Sequence, residues 1–236
     1  MSERSSSTLS PKEPTKNLAN SSPEQVERAR FLKIVEKYVS TFTETKVIKK
    51  IFENKLTIDD YHRMLLNIFH QSRRGPLTFA LAGTRVDLKH WGIQSYLLHH
   101  AEEEKSHWEW TINDLTKTNY SGEHPEKLYP TPATSAYVAF NYHIALNMPL
   151  ARLGIALLLE NLGANYGRRV AETLMKNLNL KSDQIVFIFG HGDTDVGHSE
   201  EILKILDQAA LGVKDWQDLA YAAETAGHLY CEMYNE

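Results

Sequence analysis

Phe189-Gly190-His191-Gly192-Asp193-Thr194-Asp195-Val196-Gly197-His198 is the stretch that decides how this chain is read. His191, Asp195 and His198 are separated by four and then three residues, which places all three side chains on one stripe of an α-helix. Two imidazoles and a carboxylate aimed at one point are a ligand set for a first-row metal ion. Gly190, Gly192 and Gly197 each weaken a helix interior by roughly 1 kcal/mol. A helix that carries such glycines is expected to gain close approach of another backbone, a π-type distortion, or room for a ligand.

Two fragments elsewhere match this stretch. Glu160 stands in Gly154-Ile155-Ala156-Leu157-Leu158-Leu159-Glu160-Asn161-Leu162, where every neighbour within a turn on its N-terminal side is apolar. A buried ionised carboxylate costs several kcal/mol unless a cation or hydrogen bonds compensate it. A salt bridge to Arg152 or Arg168 would serve, but the His-bearing helices make metal ligation the stronger reading. Glu104 and His107 have the Glu-x-x-His spacing that projects two ligands inward in dimetal bundles. Glu103 stands one turn from His107 as well, and Glu104 is preferred because His100, Glu104 and His107 then form one stripe. His100 could be a ligand, a hydrogen-bonding support or a core histidine; the sequence reading holds it as a support behind the ligands. The expected ligand set is therefore Glu104, His107, Glu160, His191, Asp195 and His198. Its carboxylate share favours two ions of iron or manganese over zinc.

The rest of the chain shares the helical period, and alternating strand patterns are almost absent. Ser22-Pro23-Glu24-Gln25 reads as an N-cap, a first-turn proline and a capping-box partner. Thr57-Ile58-Asp59-Asp60 is a second such start, and Arg74-Gly75-Pro76 interrupts the helix it opens. Further helices are predicted from about Leu88 to Thr116, Ser135 to Asn147, Pro149 to about Asn177, Ser182 to about Leu211, and from Lys214 onward. The fold class is all-α: a single compact seven-to-eight-helix bundle over residues 23–236, behind a Ser-, Lys- and Pro-rich tail over residues 1–22 expected to be disordered.

Composition narrows the function classes. Of 236 residues, 42% are hydrophobic and 24% charged, and the formal net charge of -4 gives no reason to expect nucleic acid or an anionic membrane as partner. No apolar stretch is long enough to span a bilayer, and the N-terminus lacks a signal-peptide h-region. Cys231 is the single cysteine, which excludes an intrachain disulfide and fits a cytoplasmic protein.

Glu104-x-x-His107, then Glu160, then His191-x-x-x-Asp195-x-x-His198, in this order, resembles the heme-oxygenase-like diiron oxidases and oxygenases, over roughly Ser22 to Tyr234. That family shares its helical fold with heme oxygenases and TenA-type proteins. The resemblance implies a heme-oxygenase-like bundle that binds two Fe(II) ions, activates O2 and oxidises a small amine, amino acid or fatty acid, often in biosynthesis of specialised products. Known outcomes are N-oxygenation, oxidative C–C cleavage and alkene or nitrile formation. Some members add a glutamate from an early helix, where this chain has Phe69-His70-Gln71, so His70 is the only ligand-type residue on offer there. A heme-binding reading would want a histidine on the first folded helix, and Val26 to Ser40 has none. A TenA-like hydrolase would want a core cysteine nucleophile, and Cys231 stands near the C-terminus. Trp108, Tyr142, Tyr166, Phe187 and Phe189 are candidates to line a pocket, and Arg73, Arg74, Arg152 and Arg168 to pair a substrate carboxylate. A homodimer is expected, as is common in folds of this kind.

Overall fold

The computed structural model describes residues 21–236, except for the side chains of residues 192–196. Asp195, a predicted ligand, therefore lies outside the described side chains, as residues 1–20 of the predicted tail lie outside the described chain. Among the described residues there are eleven α-helical segments and no strand. They are α1 (Pro23–Phe42), α2 (Lys46–Phe52), α3 (Ile58–Ser72), α4 (Gly75–Gly83), α5 (Trp91–Glu104), α6 (Trp108–Lys117), α7 (Pro132–Asn147), α8 (Arg152–Leu162), α9 (Arg168–Leu178), α10 (Val186–Gln208) and α11 (Val213–Met233). Three pairs follow one another in the chain across a short interruption: α3 and α4, α5 and α6, and, through a π segment, α8 and α9. Joined in this way they make the predicted bundle.

Local chemistry sets the starts. Ser22 Oγ accepts from Gln25 N–H at 3.3 Å while Gln25 Oε1 accepts from Ser22 N–H at 3.0 Å, closing the capping box of α1. At α3 the reciprocal pair is Thr57 and Asp60, each bond 3.1 Å. Pro76, in the first turn of α4, needs no backbone donor there and so restarts the helix that Arg73 and Arg74 end.

The core is built around α8. Arg152 to Leu158, Glu160 and Leu162 are all buried, and α1, α7, α10 and α11 pack around this segment. Gly154 permits the closest approach: a Cβ on it would lie 2.5 Å from the backbone oxygen of Leu219 in α11. The α1 face of Phe31, Ile34, Val35, Tyr38 and Phe42 packs on α11 at the helical period, and Gly227 leaves space there for the Tyr38 ring.

Two features differ from the sequence reading. The helix expected from Leu88 to Thr116 opens with a 3-10 turn at Leu88–His90 and breaks between Glu104 and Trp108. There the N–H groups of His107, Glu109 and Trp110 bond three residues back, at 2.9 to 3.2 Å. Of the three gains that the glycines of α10 allowed, a π distortion is not found in α10, which is α-helical throughout its course. It is in the helix α10 packs against, where Gly163–Gly167 forms a π segment between α8 and α9. Of the α10 glycines, Gly190 faces a neighbour, the Trp110 ring at 2.9 Å from an added Cβ, and Gly197 faces open space.

Candidate metal centre

Three helical stretches bring together the predicted ligands other than Asp195. The tightened turn after α5 acts first: at three residues per turn, side chains i and i+3 lie directly above one another. Glu104 Oε2 and His107 Nδ1 accordingly lie 2.8 Å apart. Trp110 stacks on the His107 imidazole with centroids 4.0 Å apart, and the missing side chain of Gly190 leaves room for that ring. From α10, His191 Nδ1 meets the Phe187 carbonyl oxygen at 2.8 Å. That contact suits a donated Nδ1–H, which leaves the Nε2 lone pair toward the cluster. His191 Nε2 lies 3.8 Å from Glu104 Oε2.

A second group forms on the other side of Glu104. His100 of α5, only 1% exposed, brings Nε2 to 3.4 Å from Glu160 Oε1, and His198 Nδ1 lies 3.3 Å from Glu160 Oε2. Glu103 is the nearest further carboxylate, with Oε2 at 3.7 Å from His100 and 3.8 Å from His198. Ligand atoms of His100, Glu104 and His198 all lie within 4.8 Å of one another, and so do those of Glu104, His107 and His191. Glu104 is the residue common to both groups. Glu160 stands beside the group of His100, Glu104 and His198, touching both of these histidines.

The electrostatics fit a cation. Burial works to raise the Glu104 carboxyl, but contacts from His107 and His191 outweigh it and hold it well below the usual carboxylate range. Glu160 is likewise lowered, its burial overcome by His100 and His198. The Glu160 contact lifts His198 to about 9 against the opposing effect of burial. Nδ1 of His100 and of His107 is buried without an aligned hydrogen bond, although carboxylate oxygens are near. Imidazole nitrogens and carboxylates brought this close, with two of the nitrogens left without a hydrogen bond, are the arrangement expected of converging metal ligands.

The helix carrying His191 and His198 is anchored from a distance. The buried Asp114 carboxylate of α6 accepts from the first-turn N–H groups of α10, Val186 at 2.9 Å and Phe187 at 3.0 Å. It thus serves as an N-cap donated by another helix. Tyr61 fixes the preceding turn by donating to the Gln184 carbonyl at 3.1 Å.

A cavity of about 160 Å³ opens onto the centre, lined by His100, Glu104, Glu160 and His191 together with Arg152, Phe79, Tyr137 and Tyr166. Of the predicted aromatics, Tyr166 and Phe187 line it; Trp108, Tyr142 and Phe189 do not. Of the arginines, Arg152 and Arg74 line it, whereas Arg73 pairs with Glu126 at 2.7 Å and Arg168 with Glu172 at 3.1 Å. His70 is buried with neither ring nitrogen partnered, and it lines a separate cavity beside Arg63, Asn67 and Thr131. Phe79, Tyr137 and Asn141 escaped the sequence reading: α4 carries no ligand-type residue, and the one on α7, His143, is exposed and so does not mark the inward face. His100 falls within one of the two candidate ligand groups, and its stripe with Glu104 and His107 was the available signal.

Residues 67–230 match the family of iron-containing redox enzymes. The chain belongs to that family. The match spans the segments from α5 to α10 that carry the candidate carboxylate and histidine ligands. Solved structures agree on the fold. A domain with a heme oxygenase-like fold from Shewanella denitrificans is similar at a TM-score of 0.78 and 22% identity, covering 86% of this chain and 88% of that one. A TenA homolog from Pseudomonas syringae pv. tomato is similar at 0.72 and 11%, covering 87% and 90%. Heme oxygenase from Leptospira interrogans is similar at 0.71 and 15%, covering 89% and 98%. The fold is therefore heme-oxygenase-like. No curated protein sequence matches the chain. No described helix is long and apolar enough to cross a membrane.

Proposed function

We propose that this enzyme is a non-heme diiron, O2-dependent oxidase or oxygenase acting on a small molecule. The observation that carries the reading is the position of Glu104, common to two ligand groups that otherwise share no residue. A carboxylate has two oxygens and can serve a metal on each side, which a histidine cannot do. One ion would be held by His100, His198 and Glu160 with Glu104. The other would be held by Glu104, His107 and His191, with Asp195 assigned from sequence spacing alone. Mixed imidazole and carboxylate ligands suit iron or manganese, and the family favours iron. When bound, two ferrous ions supply electrons to dioxygen and orient it against the substrate.

The protein's own part is geometric and electrostatic. Carboxylates kept ionised by neighbouring imidazoles are ready to bind cations at neutral pH. The Phe187 carbonyl sets the His191 ring, Trp110 sets that of His107, and the Asp114 cap sets the start of the helix that holds His191 and His198. Phe79, Leu159, Leu162 and Ile188 give the cavity apolar walls, which keep water from the reacting centre. Two neighbouring chemistries of the same fold are disfavoured. Helix α1, Pro23–Phe42, has no histidine for a heme iron. Cys231 is buried on α11, absent from the cavity lining, and pushed up to about 11 by burial, which makes it a poor nucleophile.

Stopped-flow absorbance tests the reading. Protein loaded anaerobically with Fe(II) and mixed with O2 should give a transient visible band. A Soret band on adding heme, with no oxygen-dependent transient in the iron-loaded protein, would favour heme chemistry instead.

A further inference from the structure

Among the described residues Arg152 is the largest fully buried side chain, 2% exposed, and it lies on the wall of the central cavity. Its guanidinium is held from two directions. Nε donates to Thr78 Oγ1 at 3.1 Å, and the group lies over the Phe79 ring at 3.7 Å from the centroid. Nη1 is buried without a hydrogen-bond partner. Among the described residues no carboxylate forms an ion pair with it, although Glu160 and Glu104 are near enough to act on it through space. An unsatisfied charged donor costs more than an ordinary lost hydrogen bond. Here it is fixed in position by Thr78 and Phe79, on a residue that lines the cavity.

We infer that the cavity takes a small monocarboxylate, and that Arg152 is the residue that recognises its carboxylate. A planar, preorganised guanidinium with a free N–H is the natural partner for that group. One buried cation balances one negative charge, whereas a phosphate dianion would leave charge uncompensated. Glu104 and Glu160 line the same cavity, so in the metal-free protein like-charge repulsion favours the anionic end of an occupant at Arg152. The cavity of about 160 Å³ is close to engineered cavities of about 150 Å³ that hold benzene. The occupant is therefore small, with a mostly apolar body against Phe79, Leu159 and Ile188. Placing that body beside the reacting metals rests on the diiron reading; the Arg152–carboxylate contact does not.

Full-length protein, both as purified and after chelation, can be titrated calorimetrically with hexanoate and with its neutral isostere hexanamide, with iron measured on the same samples. Wild type should bind hexanoate about tenfold or more tightly than hexanamide. Arg152→Gln should bind the two alike while holding as much iron as wild type, and Arg152→Lys should keep part of the preference. Equal binding by wild type, no binding of either ligand, or a preference that survives Arg152→Gln overturns the inference. The wild-type comparison stands even if a variant fails to fold. If the chelated protein keeps the preference but no iron loads, the diiron reading fails and this one holds; if iron loads and the preference is missing, the reverse is true.

Discussion

Replacing Asp114 should loosen the metal-bearing helix from its start. The carboxylate accepts from Val186 and Phe187 N–H at 2.9 and 3.0 Å, and from Asn113 Nδ2 at 3.0 Å. Asp114→Ala strands both first-turn amides in a part-buried setting, at about 1–3 kcal/mol each. Against that stands the desolvation of Asp114 itself: burial raises its carboxyl above the ordinary value despite these bonds. The net loss should be about 2–4 kcal/mol, a fall in Tm of roughly 4–16 °C for a domain of this size. Asp114→Asn keeps one acceptor oxygen and removes the buried charge, so its loss should be smaller. The pH dependence has a definite sign. A raised native pKa means the folded state holds its proton to higher pH than the unfolded chain, so the wild type gains on Asp114→Asn as pH falls through that window toward about 4. Calorimetry at several pH values measures all three. A Tm for Asp114→Ala within about 2 °C of wild type, or a wild-type advantage over Asp114→Asn that shrinks toward acid, would refute the capping argument.

Glu104→Ala should remove both irons, leaving fewer than about one per chain, whereas His107→Ala should leave about one; equal losses by metal analysis would contradict a shared carboxylate. Gly154→Ala sets a helix-propensity gain of about 1 kcal/mol against a Cβ placed 2.5 Å from the Leu219 oxygen. Overpacking of about 1–3 kcal/mol should win, so thermal melting should show a lower Tm, and a rise would refute the close packing of α8 on α11. Asp60 is held well below the usual carboxylate range: its burial is overcome by bonds from Thr57, Lys50 and Arg63. Its stabilisation is therefore complete above pH of about 4 and lost as pH falls toward its lowered native value. Asp60→Asn should cost about 1 kcal/mol at neutral pH and flatten that acid limb in a urea titration.

What could be read from sequence was what short-range chemistry controls. The capping boxes at Ser22 and Thr57, the stop before Gly75-Pro76, and the helical spacing of His191 and His198 each depend on residues within one or two turns. The break after Glu104 escaped because Glu102 to Trp108 contains neither glycine nor proline, the usual interrupters. The glycines of α10 left three readings open, and spacing alone had no means of placing the π segment at Gly163–Gly167 of the helix packed against it. Asp114 is 72 residues from the amide it caps at Val186, a separation that leaves no local pattern. Four arginines looked equivalent on paper. Only packing distinguishes Arg152, enclosed by Thr78 and Phe79, from Arg73 and Arg168, which find glutamates of their own.

Anaerobic Fe(II) titration of the full chain, followed by Mössbauer spectroscopy of the protein enriched in iron-57, tests the shared role of Glu104 most directly. The account predicts saturation at about two irons per chain, held by nitrogen and oxygen ligands, with magnetic coupling between them after oxidation. Saturation at one iron, or two that show no coupling, would contradict it.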